Sequence, residues 1–235
     1  MNTRLKLTSC ALALVGTLSA NAQITISEVL FNEVGSDVGG EWIEIYNKGL
    51  TVINLSNYKI GDEETKDATS ATEGLWQFPS GATINPGQVQ IVAVSATRFQ
   101  TVYGFLPTYE LAGTDATVPD LSVYSSWDPD GGNINMSNSN DQALLLDEND
   151  ALVDGLNWGN TTYLNPGLGT ALDGASYQRI NAMIDTDTAA DWMTITDSNI
   201  PAAQRSSPGV VVVPEPGSLA LTCLGIAALV FRRKN

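Results

Sequence analysis

The sequence predicts an all-β fold, a sandwich or barrel of short strands. Three observations carry this expectation. Apolar and polar residues alternate in short runs along most of the chain. Turn residues (glycine, proline, asparagine and aspartate) separate those runs. A single stretch has helical spacing, and runs of strands with frequent turns imply packed sheets rather than alternating β and α layers.

The first strand is expected in ITISEVLF, where Ile24, Ile26 and then Val29 alternate with Thr25 and Ser27. In EWIEIYN, Ile43 and Ile45 share one face and Trp42, Glu44 and Tyr46 the other, and the isoleucine face is assigned to the core. TVINLSNYKIGD continues the pattern through Ile53, Leu55, Tyr58 and Ile60, and the polar EETKDATSATEG reads as a loop. LWQFPSGATINPGQVQIVAV reads as two strands with turns at Pro79-Ser80-Gly81 and Asn85-Pro86-Gly87. SATRFQTVYGF places Phe99, Val102 and Tyr103 at helical spacing behind the N-cap Ser95 and before the stop Gly104, which predicts a short helix covering a sheet. Residues 106–133 read as a long loop. DQALLLDENDALVDGLNWG predicts a hairpin about Glu148-Asn149-Asp150. ASYQRI is a short strand, and DTDTAADWMTIT ends the domain with a strand holding Trp192. Residues 201–213 read as a linker, and no internal repeat is visible.

Both ends carry targeting patterns. Residues 1–22 have Arg4 and Lys6, an apolar stretch to Leu18 and the small-residue exit Ala20-Asn21-Ala22, the form of a secretory signal peptide cleaved by signal peptidase after Ala22. Cys10 precedes the apolar stretch, whereas a lipoprotein cysteine follows it. Residues 214–235 open with Pro214-Glu215-Pro216, continue with an apolar run from Ser218 to Phe231 and close on Arg232, Arg233 and Lys234. That run is expected to be a hydrophobic helix, although it is short against the ~20 apolar residues that span a bilayer. The basic tip is a cytoplasmic stop by the positive-inside rule. The expected organisation is therefore signal peptide 1–22, sandwich domain 23–200, linker 201–213 and membrane tail 214–235.

Composition excludes several classes of function. The two cysteines, Cys10 and Cys223, lie in the terminal segments, so the domain is neither a disulfide scaffold nor a thiol enzyme. The absence of histidine removes Ser-His-Asp triads and histidine zinc sites. From Gln23 to Gly209 there are 25 acidic side chains against six basic ones, a net charge of −19 that repels phosphate backbones and argues against nucleic acid.

The ordered pieces ITISEVLFNEVGSDVGGEWIEIYNKGLTVINLSNYKIGDE, WQFPSGATINPGQVQIVA and MSNSNDQALLLDENDALVDGLNWG resemble the bacterial exported lamin tail domains, and SYQRI…DTDTAADW resembles their ending. In the lead Ser137-Asn138-Ser139-Asn140-Asp141, Asn140 stands where the family usually has glycine, and asparagine tolerates a left-handed backbone. The resemblance implies an immunoglobulin-like antiparallel β-sandwich with Trp42 and Tyr46 as packing residues. The ending VPEPGSLALTCLGIAALVFRRKN resembles a PEP-CTERM sorting signal. That resemblance implies recognition of Pro214, Glu215 and Pro216 by an exosortase, passage through the inner membrane, and a surface or extracellular-matrix setting linked to exopolysaccharide or other surface proteins.

Two acidic stretches are candidate calcium loops: DPDGGN, with Asp128 and Asp130, and DTDTAAD, with Asp185 and Asp187. Neither has EF-hand spacing, and a solvated turn capped by aspartates explains the same residues. Glu41 and Glu44 lie three apart on a strand and so face opposite ways, which prevents joint acid–base action. Trp76, Trp127 and Trp158 are either sugar-stacking platforms or core. No catalytic set is visible. The reading preferred from sequence is a non-catalytic exported binding or scaffolding module without a required cofactor. The alternatives are a small secreted carboxylate-dependent hydrolase and a permanently anchored calcium-binding adhesin.

Overall fold

The computed structural model describes residues 23–35, 39–63, 73–127 and 135–213. The expected signal peptide with Ala20 and Ala22, the tail from Pro214 to Lys234, and Asp128 and Asp130 lie outside the described residues. The strands are β1 (Ile24–Leu30), β2 (Trp42–Asn47), β3 (Ile53–Asn54), β4 (Lys59–Gly61), β5 (Leu75–Gln77), β6 (Thr83–Ile84) and β7 (Val89–Ala93). The helix α1 (Ala96–Tyr103) follows, then β8 (Tyr109–Glu110), β9 (Ser122–Val123), β10 (Asp141–Leu146), β11 (Leu152–Trp158), β12 (Gly167–Leu168), β13 (Tyr177–Arg179) and β14 (Trp192–Met193).

Two sheets form the sandwich. One has the order β14-β13-β1-β2-β7-β8 and the other β12-β11-β10-β4-β5-β9, with β3 and β6 paired separately. Their facing sides enclose one apolar core that includes Ile26, Phe31, Ile43, Ile45, Ile60, Leu145, Leu156 and Trp158. Phe31 stacks on Trp158 with ring centroids 4.1 Å apart, joining the two layers. At roughly 25 cal/mol per Å2, each such large side chain contributes on the order of 2 kcal/mol by burial.

The face assignment in β2 holds. Ile43 and Ile45 enter the central core, while Trp42 packs outward with Phe99 of α1. All six β2 residues are nevertheless buried, because the outer face of this sheet is also covered. Helix α1 covers one part: Ser95 caps it by accepting from Arg98 N, and Gly104 ends it at φ 82°, a left-handed geometry that favours glycine. In β1 the register shifts between Ile26 and Glu28. This bulge lets Val29 and Phe31 join Ile24 and Ile26 inside, and it sets Glu28 directly opposite Glu44.

Five expectations change. Among the described residues the named strands pair antiparallel except at two edges, where β8 runs parallel to β7 and β12 parallel to β11. The β7–α1–β8 unit explains the first case, since a parallel neighbour needs a crossover connection. The stretch from Leu75 to Ala93 holds three strands rather than two, and the loop expected at 106–133 contains the edge strands β8 and β9. Strands of two residues are too short to show alternation. Asn140 is not among the residues with positive φ, so no left-handed backbone is needed there. Finally, residues 201–213, expected as a linker, are bonded to the domain: Ser207 and Gly209 donate to Glu28 and Glu44, and Ala182 N donates to Val212 O at 2.9 Å.

Candidate functional site: a polar groove held by two buried cations

A groove of about 840 Å3 opens at the pole of the sandwich where β1 begins and β10 turns into β11. Its floor takes Gln23, Asn54, Ser56, Asn57 and Tyr58, with Val52, Ile53, Leu152 and Val153 as apolar surface between them. Asp147 and Glu148 stand in one wall, and Asp185 and Asp187 in the other.

Each acidic wall is built on a buried cation. Lys59, in β4, is 2% exposed, and its ammonium donates to the carbonyls of Asp147 and Glu148 at 3.2 Å and to Asp150 Oδ1 at 2.5 Å. It also lies 4.7 Å from the centre of the Tyr124 ring. Asp147 Oδ1 accepts from the backbone N–H of Asn149 and Ala151 and so closes the turn. Asp150, at φ 64°, completes it.

Arg179, in β13, is 1% exposed and is the second cation. Its Nη2 reaches both oxygens of Asp154, at 2.9 and 2.8 Å, and its Nε donates to Ile26 O at 2.7 Å. Its Nη1 meets Asp185 Oδ1 at 3.1 Å and Asp191 Oδ2 at 3.6 Å. The guanidinium lies over the Trp192 ring, 4.5 Å from its centre. Nη1 also donates to Ile184 O at 3.4 Å, and these six partners tie the 184–192 segment to β1 and β11. Burial raises the Asp154 pKa to about 6 against the opposing pull of Arg179. Lys48, near the same wall, is lowered by burial, although Asp185 pulls it upward.

The floor has an uneven use of hydrogen-bonding groups. Gln23 Oε1 accepts from Thr51, Asn54 Oδ1 from Ser56 N, and Asn57 Oδ1 from Gln77 Nε2. Each bond uses the amide oxygen, which leaves the amide nitrogen as a donor for a ligand. Carboxylates on both walls supply acceptors. A side chain such as Gln23 or Asn57 gives no periodic signal, so sequence reasoning missed this floor; the turn signal at 148–150 found one wall and the aspartate run at 185–191 the other.

The structure places the calcium candidates differently from a metal loop. Asp185 is the ion-pair partner of Arg179, and Asp187 sits in a left-handed turn at φ 52°. Among the described residues, no three acidic, histidine or cysteine side chains converge as a metal cage. Glu41 is separated from Glu44, as expected, and accepts from Met136 N. The carboxylates that do pair are Glu28 and Glu44, neighbours across β1 and β2. Trp76 and Trp158 are buried, at 8% and 0% exposure, and belong to the core rather than to a stacking platform.

These features define a class: a β-sandwich module with a polar groove at one pole. The Lamin Tail Domain model matches residues 17–160, and the chain belongs to that family. The PEP-CTERM protein-sorting motif matches residues 212–234, which marks an exported protein of the cell surface or exterior. No curated protein matches the chain. Among solved structures, a DUF4876 family protein from Bacteroides thetaiotaomicron is 12% identical with a TM-score of 0.48, covering 83% of this chain and 73% of its own. Among the described residues no helix is long and apolar enough to cross a membrane.

Proposed function

We propose that this is a non-catalytic surface module that binds a hydroxyl-rich polysaccharide, neutral or cationic, in the polar groove, and that an exosortase processes its tail at Pro214-Glu215-Pro216. The groove floor carries the reading. Donor amides of Gln23, Asn54 and Asn57 line the same groove as the carboxylate acceptors of its walls, and a sugar hydroxyl is both donor and acceptor. The net charge of −15 disfavours anionic polymers such as uronates. Lys59 and Arg179 are buried and ion-paired, so neither offers an exposed cation to a uronate carboxylate.

Calorimetric titration with neutral glucan, amino-sugar and uronate oligomers tests the binding. The account expects heat with the first two, none with uronates, and oligomers recovered at unchanged length. Release of shortened sugar would instead favour the hydrolase reading, and silence with all three would remove the carbohydrate reading. Exosortase processing is tested separately. Replacing Pro214, Glu215 and Pro216 by alanine should hold full-length protein in the inner membrane, while the wild-type surface fraction should lack the peptide from Ala227 to Phe231. A wild-type surface protein that retains this peptide would identify a permanent anchor.

A further inference from the structure

The buried pair Glu28 and Glu44 is the feature that neither the groove nor the family explains. Two carboxylates side by side on a sheet repel, and burial disfavours their charge. Here both are fully covered, and what covers them is the chain just ahead of the sorting motif. Ser207 N donates to Glu28 Oε1 at 2.8 Å, Ser207 Oγ to Glu28 Oε2 at 3.2 Å, and Gly209 N to Glu44 Oε2 at 2.6 Å. Ser176 and Ser27 hydroxyls fill further oxygen sites on Glu28 and Glu44.

We propose that Glu28 and Glu44 act as a clamp that seats residues 205–212 on the outer face of the first sheet and so protects the junction between domain and tail from proteolysis. The residues on either side support the same seating. Arg205 donates through Nε to Ile200 O and through Nη1 to Asp173 O, and the Ser206 and Tyr103 hydroxyls lie 2.9 Å apart. Gln178 Nε2 donates to Ser207 Oγ and Val210 O. The last such bond reaches Val212, two residues before Pro214. A protease must take its substrate as an extended strand with free backbone groups, and here Ser207 N and Gly209 N face carboxylates while Arg205 O accepts from Ser176 N. In an exported protein, one cut in this stretch would detach the domain from its tail.

The inference rests on the tail being a sorting tail only for its consequence in the cell. The clamp itself is tested without that reading, on the full chain purified in detergent from a host that leaves the tail attached. Trypsin should cut the Arg205–Ser206 bond at least roughly tenfold more slowly in the wild type than in the Glu28→Ala/Glu44→Ala variant. Near-ultraviolet circular dichroism of the buried tryptophans confirms that both remain folded. If the double variant does not fold, Gly209→Pro makes the comparison, because it leaves both carboxylates in place, removes the donor to Glu44 and cannot hold the φ of 85° that seats the segment. Equal cutting rates in folded wild type and variant would overturn the clamp. Failure of exosortase processing would leave this result unaffected, which separates the two ideas.

Discussion

Arg179 and Asp154, 25 residues apart in sequence, meet in a two-oxygen ion pair at 2.9 and 2.8 Å, with both side chains 1% exposed. The pair crosses from one sheet to the other, because β13 belongs to the first and β11 to the second. Asp154 Oδ2 also accepts from Ile26 N at 2.7 Å, so the bond network pins β1 to the same point. Removing one member of such a pair leaves a buried charge without compensation.

Arg179→Met should therefore destabilise the domain by about 3–5 kcal/mol. Adding Asp154→Asn to that variant should recover part of the loss, since the orphaned charge is then gone. Urea unfolding followed by tryptophan fluorescence measures both. A single variant as stable as the wild type would show that the network adds nothing to the fold.

Ile43→Asp places a carboxylate in the core between the sheets, where Ile43 is 1% exposed. The expected loss is on the order of 4 kcal/mol or a failure to fold. The adjacent Glu44 is tolerated because it faces outward and its oxygens are occupied. An unchanged melting temperature for Ile43→Asp would reverse the assignment of the two faces.

Much of the fold was legible in residues of this kind. Ile43 and Ile45 announced their face by alternation, and Ser95 and Gly104 announced both ends of α1 by the geometry that each favours. The outer cover was not legible. Glu44 reads as a solvent-facing strand residue until Gly209 is folded over it, and no local pattern links residues 165 apart. Lys59 and Arg179 read likewise as surface charges, because burial of a cation depends on partners brought by distant turns. For the groove, the aspartates at 185 and 187 stand out in the sequence as a calcium loop or a capped turn, and neither reading names the arginine that Asp185 meets. The edge strands β8, β9 and β12 are two residues long and are defined by their neighbours alone.

Stability should increase as pH falls from about 8 to about 5. Burial raises the Glu44 pKa to about 7 from its ordinary 4.5, with Glu28 adding repulsion against the Ser27 and Gly209 bonds. Burial likewise raises Glu28, and it raises Asp154 to about 6 from 3.8. A folded-state pKa above the unfolded one means that the native state holds protons more tightly. The resulting stability is complete below about pH 4 and is lost as pH rises through 6 to 7. Glu44 alone accounts for a difference of about 3 kcal/mol. Melting curves across this range check the sign; Glu44→Gln should flatten them. A melting temperature that rises toward pH 8 would show these carboxylates to be ionised and well solvated.

The groove predicts a pattern among its own residues. Asn54→Ala/Asn57→Gly removes two donors, with glycine keeping the left-handed backbone of Asn57 at φ 69°, and should weaken oligosaccharide binding by roughly tenfold with only a small change in melting temperature. Lys59→Met should weaken binding as well, but through loss of the 147–150 turn and with a clear loss of stability. Affinity and melting temperature measured on the same samples distinguish the two routes. Equal stability losses in both variants would contradict the separation of floor from frame.

Amide chemical-shift mapping during titration with a neutral glucan oligomer reports where the sugar sits and so decides whether the groove binds it. Binding in the groove gives saturating shifts at Asn54, Ser56, Asn57, Glu148 and Asp187, with none around α1 or the Glu28–Glu44 clamp. Saturating shifts at the opposite pole, or none anywhere at millimolar sugar, would contradict it.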